Sequence, residues 1–477
     1  MSLKVKAITG VKWTTLSTVI VTVIQLVQIA ILARFLDPTA FGLMALVMVV
    51  IGFSQAFLDM GISNAIIYKQ KTSQEQLSTL YWINILAGFL IFSIIIIVAP
   101  FVADIYNEPE LKKLITILAF TFLIQPFGQQ FMVLLKKEMR FSEMAKIDIV
   151  SKSISLVVSI YFAYKGYGVY ALVYGTFSAL VIQTVLFVYI GYREYRPSFA
   201  FQLKDISDYL IFGAYQTGEK IINYFNLQID TILIGSFFGM ETLGIYNIAK
   251  EITMRPAQII NLVITKVTFP TMAKVQEDTK RLKNIYLKMI NYLSSVNFPI
   301  YVFIIIFSHE IVIIIFGEKW IEAVEIMQIL AIWSALKSTG SPIGSLLLAK
   351  GKANWGFWLN LGLLFYTPVG IYIGSNWGLT GVSWALVLLL FPVGMLANWY
   401  FLVRPLCGAK FVEYHKEILI PIIVSTLAGI ISYISIIQIE QLVFKLITGT
   451  IVGLIIIIIM NYFLNRKFLL DLKGLKS

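Results

Sequence analysis

Apolar segments long enough to cross a bilayer return along nearly the whole chain, with only short polar joints between them, and this leaves few ways to fold. A membrane helix needs about 20 mostly apolar residues. Measured that way, spans lie near 12–36, 40–67, 79–103, 112–135, 142–164, 168–192, 208–238, 242–272, 282–307, 321–349, 353–374, 378–403, 417–437 and 442–464. Hydrocarbon offers the backbone no hydrogen-bond partner, so each segment must be a helix. The expected fold is an all-α polytopic membrane protein of about fourteen transmembrane helices with no soluble domain. Composition agrees: 58% of residues are hydrophobic and 13% charged, where soluble domains carry roughly 25% charged residues. The run after the short basic start lacks an Ala-x-Ala-like end, so it reads as a first span and not a cleaved signal.

Orientation follows from where the cations fall, because short cytoplasmic loops collect Lys and Arg. With the N-terminus inside, cytoplasmic loops and tails hold Lys4, Lys6, Lys12, Lys69, Lys71, Lys136, Lys137, Arg140, Arg193, Arg196 and Lys204 in the first half. The second half continues with Lys274, Lys280, Arg281, Lys283, Lys350, Lys352, Arg404, Lys410, Lys416, Arg466, Lys467, Lys473 and Lys476. Outer loops hold Lys112, Lys113, Lys165, Lys319 and Lys445, with Arg34 at the edge of one. Both termini are therefore expected in the cytoplasm. The net charge of +12 is mostly a topology signal, with no nucleic-acid partner implied.

The halves echo each other. The joint Leu36-Asp37-Pro38-Thr39-Ala40-Phe41-Gly42-Leu43 returns 202 residues later as Phe238-Gly239-Met240-Glu241-Thr242-Leu243-Gly244-Ile245. Tyr106-Asn107-Glu108 is matched by Phe316-Gly317-Glu318. The echo implies an N-lobe of six helices over 1–200, a C-lobe of six over 201–405, and two added helices with a cytoplasmic tail over 406–477. An even number of spans per lobe makes the repeat parallel, and repeats of this kind place a site between lobes.

Charges inside spans cost roughly 2.5–3.5 kcal/mol each at mid-membrane, so they need a wet cavity or a partner. Lys152, Lys220, Arg255 and Lys337 lie near mid-span and are the candidate substrate-binding cations, together with Arg34. Lys146, Lys266 and Lys288 lie closer to span ends, where they can snorkel. Candidate polar and acidic cavity residues are Gln25, Gln28, Asp59, Glu219, Asn223, Asp230 and Gln258. A bland reading stands beside each. Asp148 and Lys152, like Glu251 and Arg255, are four apart and can pair locally, and buried amides more often knit helices together than bind ligands. His309 beside Glu310 reads as an interfacial pair. One cysteine and two histidines exclude an internal disulfide and argue against a metal site. No G-x-x-x-x-G-K-[ST] loop occurs. No cofactor is expected; a coupling ion, proton or sodium, is left open by the buried acids.

Several stretches resemble the Wzx-type polysaccharide-unit flippases of the multidrug/oligosaccharidyl-lipid/polysaccharide (MOP) superfamily, in the branch of WzxC-type and TuaB-type exporters of lipopolysaccharide and teichuronic acid. The similarity is carried by Leu32-Ala33-Arg34-Phe35-Leu36, Phe41-Gly42-Leu43-Met44, Gln76-Leu77-Ser78-Thr79-Leu80-Tyr81-Trp82, Pro126-Phe127-Gly128-Gln129-Gln130, Leu243-Gly244-Ile245-Tyr246 and Gly317-Glu318-Lys319-Trp320. The resemblance implies two six-helix lobes around a central cavity that opens to each side in turn. It implies an undecaprenyl-diphosphate-linked oligosaccharide as cargo, flipped from the cytoplasmic to the periplasmic leaflet of the bacterial inner membrane and handed to a polysaccharide polymerase machinery. The family has no single diagnostic motif, so no site residue transfers from it. A cation-coupled drug exporter of the same superfamily and a membrane glycan polymerase or glycosyltransferase are the alternatives.

The charge pattern makes a direct prediction. Alkaline phosphatase fused after Asp37 is expected to be active and the same reporter fused after Arg466 inactive, measured as whole-cell activity at matched expression; the opposite pattern refutes the orientation.

Overall fold

The computed structural model describes residues 3–58, 72–199, 207–390 and 395–466, with Ser63, Ile66, Ile67 and Phe468 besides. Among the described residues the ordered elements are all helices. In chain order the long ones are α1 (Leu3–Phe35), α2 (Pro38–Leu58), α3 (Gln74–Ile105), α4 (Pro109–Lys137), α5 (Phe141–Tyr164), α6 (Tyr170–Gly191), α7 (207–238) and α8 (240–274). They continue with α9 (Thr279–Ile306), α10 (323–349), α11 (Ala353–Gly374), α12 (described over Gly378–Leu388 and again over 395–407), α13 (Phe411–Ile436) and α14 (Leu442–Leu464).

Among the described residues, eleven helical stretches are long and apolar enough to cross a membrane. Two of them are double. Lys220–Asn261 is divided at Gly239 (φ 80°), and Asn354–Leu388 is divided at Gly378 (φ 70°). Positive φ costs glycine nothing and other residues much, so these two joints turn where the sequence changes span. α10 is two shorter helices, Ala323–Ser338 and Ser341–Ala349, broken at Gly340 and Pro342. Fourteen crossings are thereby accounted for.

Local chemistry sets the other boundaries. Pro38 opens α2, where its missing N–H is not needed. Ser73 and Gln76 form a reciprocal capping box at the start of α3.

The chain forms two compact units, Met1–Gly244 and Ile245–Ser477. In the first, Tyr81, Phe131, Leu135, Ile147 and Phe187 make a buried cluster among α3, α4, α5 and α6. α1 and α5 run in parallel, since Lys146 lies over the Trp13 ring (5.9 Å) and Gln28 reaches Ser159 (2.7 Å). α7 docks on α2 through Tyr224, whose hydroxyl donates to the carbonyls of Met48 (3.1 Å) and Val49 (2.9 Å). The sequence echo puts a lobe boundary near residue 200. The Tyr224 contacts lie within the first of the two compact units.

The repeated joint packs on itself. A Cβ at Gly42 would overlap the Met240 carbonyl, and a Cβ at Gly244 would overlap the Pro38 carbonyl. In the 202-residue echo Pro38 corresponds to Met240 and Gly42 to Gly244. The two contacts are therefore the same contact made twice, as a two-fold relation between duplicated joints requires.

The polar stretch after α6 folds back over the start of α3. Ser78 Oγ lies 3.0 Å from the Tyr195 hydroxyl and accepts the Ser198 N–H (3.0 Å), while the Trp82 indole donates to the Ser198 carbonyl (2.9 Å). Arg140, at the turn into α5, holds Glu143 and Glu194, and the hydrogen bonds it donates to those carboxylates push its guanidinium pKa up.

In the second unit α9 carries the two added helices. Lys283 bonds Glu413 (3.0 Å), Tyr286 stacks on Tyr414, and Asn465 donates to Ser295 (2.8 Å). Higher up, Gly429 faces Val302 and Gly449 faces Phe307, with Ser432 donating to the Gly449 carbonyl (2.6 Å). Small residues let backbones approach closely where lipid supplies no hydrophobic drive. Cys407 is buried, and burial pushes its thiol up to about 11.

Two predictions follow from this packing. Gly42→Val is expected to lose about 1–3 kcal/mol, the usual cost of overfilling a tight contact, whereas Gly344→Ala, with open space around it, should be neutral; thermal midpoints in detergent compare them. Cys407 is expected to resist maleimide at pH 7.5 in the folded protein and to react after denaturation, because the thiolate is the reactive form.

Candidate functional site

The polar residues of the first unit fall into two sets. Gln28 donates to Ser159 (2.7 Å) and lies 3.5 Å from Ser155, whose hydroxyl in turn reaches the Gly175 carbonyl (2.8 Å). These bonds knit α1, α5 and α6. The parallel register places Gln25, three residues before Gln28, level with Lys152, three residues before Ser155; both side chains are half-buried. Asp148 accepts from Gln183 (2.9 Å) on α6, with the Lys152 ammonium as an electrostatic neighbour. Gln183 was not among the candidates, because a single amide in an apolar span gives no sequence signal of its partner.

On α7, Lys220 is half-buried and Asn223 exposed, one turn from the Tyr224 anchor. Asp230 is buried and accepts the Thr231 N–H (2.8 Å). Tyr106 bonds the Ile232 carbonyl (3.2 Å), tying this end of α7 to the C-terminal end of α3. Arg34 is exposed in the last turn of α1, where a cation suits the helix dipole. Asp59 and the Glu219 side chain lie outside the described residues.

In the second unit Glu251, Arg255 and Gln258 follow i, i+4, i+7 spacing and so share one face of α8. Arg255 pairs with Glu251, and Gln258 is exposed. Pro256 follows Arg255, and the next N–H, of Ala257, donates to the Tyr301 hydroxyl on α9 (3.2 Å). One turn beyond Gln258, Asn261 joins three helices. It donates to Ser341 (2.6 Å) and the Ser338 carbonyl (3.3 Å), and it accepts from Asn297 (3.3 Å). Lys337, beside Ser338 at the break of α10, lies 4.2 Å from the Trp333 ring centroid. A cation over an aromatic face keeps part of its solvation energy without water.

One charge pair runs against expectation. Glu310 is buried, and its partner is Lys445 on α14 (3.2 Å), not His309, which is exposed. Adjacent helical residues face different ways, and the pair spans 135 positions that no local rule connects. It fastens the last helix to the short helix Ser308–Ile315.

No group of three or more His, Cys, Asp or Glu among the described residues is arranged to hold a metal ion. The arrangement offers separated cations, amides and aromatic faces on helices, a chemistry suited to binding phosphate and sugar groups.

The two ion pairs separate by burial. Glu310→Gln is expected to lower the thermal midpoint in detergent clearly, a broken buried pair costing about 3 kcal/mol or more. Glu251→Gln, in a more exposed pair, should cost less. Equal losses would contradict this assignment.

Comparison with known proteins places these features. The lipopolysaccharide biosynthesis protein WzxC of Escherichia coli (strain K12) is 32% identical over 91% of this chain and 88% of its own length. The teichuronic acid biosynthesis protein TuaB of Bacillus subtilis (strain 168) is 34% identical over 91% of this chain and 89% of its own. Among solved structures, the lipid II flippase MurJ in an inward closed conformation matches with a TM-score of 0.79, 14% identity, 96% of this chain and 100% of that one; at that identity the likeness shows the fold. A family model described as "Polysaccharide biosynthesis protein" matches residues 31–325, and with these relatives it establishes that the chain belongs to the polysaccharide biosynthesis protein family.

Proposed function

We propose that this protein is a flippase that moves isoprenoid-diphosphate-linked oligosaccharide units from the cytoplasmic to the periplasmic leaflet for surface polysaccharide synthesis. The similarity to WzxC and TuaB over nine-tenths of the chain carries this reading. The residues supply a physical reason for it. Lys152, Lys220, Arg255 and Lys337 sit near mid-span, where charge is costly outside a wet cavity, and they are the cations proposed to meet the diphosphate. Gln25, Asn223 and Gln258 would serve sugar hydroxyls, with Arg34 drawing the headgroup at the outer end. The lipid tail stays in hydrocarbon throughout.

The proposed motion is alternating access of the lobes 1–200 and 201–405, with 406–477 as an added pair in the bacterial inner membrane and both termini in the cytoplasm. A proton or sodium ion acting on Asp230, Glu219 or Asp59 is the proposed coupling element, and the polymerase that consumes the flipped unit is the proposed downstream partner. The protein itself makes and breaks no bond in this scheme. A drug exporter for organic cations would need free acids to dominate; here Asp148 is bonded to Gln183 and Glu251 to Arg255, which favours the anionic cargo.

The test is export of polymer in a strain that lacks its own flippase. Arg255→Ala and Lys220→Ala are each expected to reduce polymer at the cell surface at least tenfold at normal protein levels. Unchanged export by both variants refutes the site; dye resistance without glycan export refutes the cargo.

A further inference from the structure

We infer that the second unit holds a separate site for an anionic phospholipid, between the start of α11 and the end of α12. It goes beyond the flippase reading and does not use the mid-span cations. A cavity of about 390 Å³ lies there, lined by Trp355 and Trp358 from α11 and by Asn398, Phe401 and Leu402 from α12. Trp358 and Phe401 are each 65% exposed, so the cavity is open to a chain entering from the side.

A local irregularity shapes it. Residues Asn398–Val403 form a π-helical turn, with the Arg404 N–H donating to the Trp399 carbonyl five residues back. Pro405 comes next and has no N–H to continue the normal ladder. The widened turn carries Asn398, Phe401 and Leu402 to the cavity wall. Such turns are uncommon and recur at functional sites.

Charge selects the occupant. Residues 350–359 and 395–410 contain Lys350, Lys352, Arg404 and Lys410 and no Asp or Glu. Lys350 is used, donating to the Gln276 carbonyl (2.6 Å). The nearest acid along the chain, Glu413, is bonded to Lys283 and to the Lys410 N–H. Lys352 lies over the Trp355 ring (5.9 Å). Arg404 lies by the rings of Trp399 (5.8 Å) and Tyr400 (5.7 Å), with the Trp399 indole fixed by its bond to the Ala409 carbonyl (3.0 Å).

Indole rings sit at headgroup depth in bilayers, and each basic residue there attracts anionic lipid by about fivefold. Lys352 lies over Trp355 of the cavity wall, Arg404 follows the wall residue Leu402 by two positions, and two such cations beside an apolar cavity match a phosphate headgroup with its acyl chain. Asn398 is the only amide in the wall, too little to hold an oligosaccharide. The charge-based topology places this site in the inner leaflet, and that placement is tested separately by the reporter fusions.

The experiment uses the full-length protein in phosphatidylcholine nanodiscs containing brominated phosphatidylglycerol, read by tryptophan quenching. Brominated phosphatidylglycerol is expected to quench at a clearly lower mole fraction than brominated phosphatidylcholine. Lys352→Gln and Arg404→Gln should each raise that mole fraction about fivefold, and Trp358→Phe should remove part of the quenched signal. Gel-filtration elution and thermal midpoint confirm that each variant is folded. Equal quenching by the two lipids, or preference retained in both charge variants, overturns the inference. So does displacement of phosphatidylglycerol by undecaprenyl diphosphate at equal mole fraction, which would assign the cavity to the cargo lipid.

Discussion

Hydrocarbon cannot hydrogen-bond a peptide group, and everything else in this protein is arranged within that constraint. It forces each crossing into a helix, and at several breaks glycine or proline turns the chain. Gly239 and Gly378 make the turns between crossings, while Gly340 and Pro342 divide α10. At Pro256 and Pro405 the same requirement appears as a repair. A Tyr301 hydroxyl takes the Ala257 N–H after the first, and a widened π turn precedes the second.

Without a hydrophobic force between helices, side-chain hydrogen bonds and close backbone approach hold the units together. Gln28 with Ser159, Asn261 with Ser341 and Asn297, and Asn465 with Ser295 each join different parts of the helical bundle. The glycines do complementary work. Gly42 and Gly244 accept carbonyl oxygens where any side chain would collide, and the reciprocity of those contacts ties the sequence duplication to a physical symmetry.

Charges in the spans and at their ends divide by partner. Glu310 with Lys445 and Glu251 with Arg255 are paired, and Lys337 rests against Trp333. The aromatic and basic rim between α11 and α12 follows the same logic at the membrane surface, where the apolar and the charged parts of one lipid can both be satisfied.

Much of this was legible in the sequence because its causes are local. Span length, charge alternation and the echo of 36–43 in 238–245 gave the helical class, the number of crossings and the joints. The i, i+4 spacing of Glu251 and Arg255 gave their pairing. Tertiary structure decided what depends on distant residues. Glu310 chose Lys445 over its neighbour His309, Asp148 found Gln183, and Tyr224 fixed α7 against α2. The reason is physical: periodicity and charge are written along one helix, whereas a partner on another helix is set by rotation and register that only packing fixes.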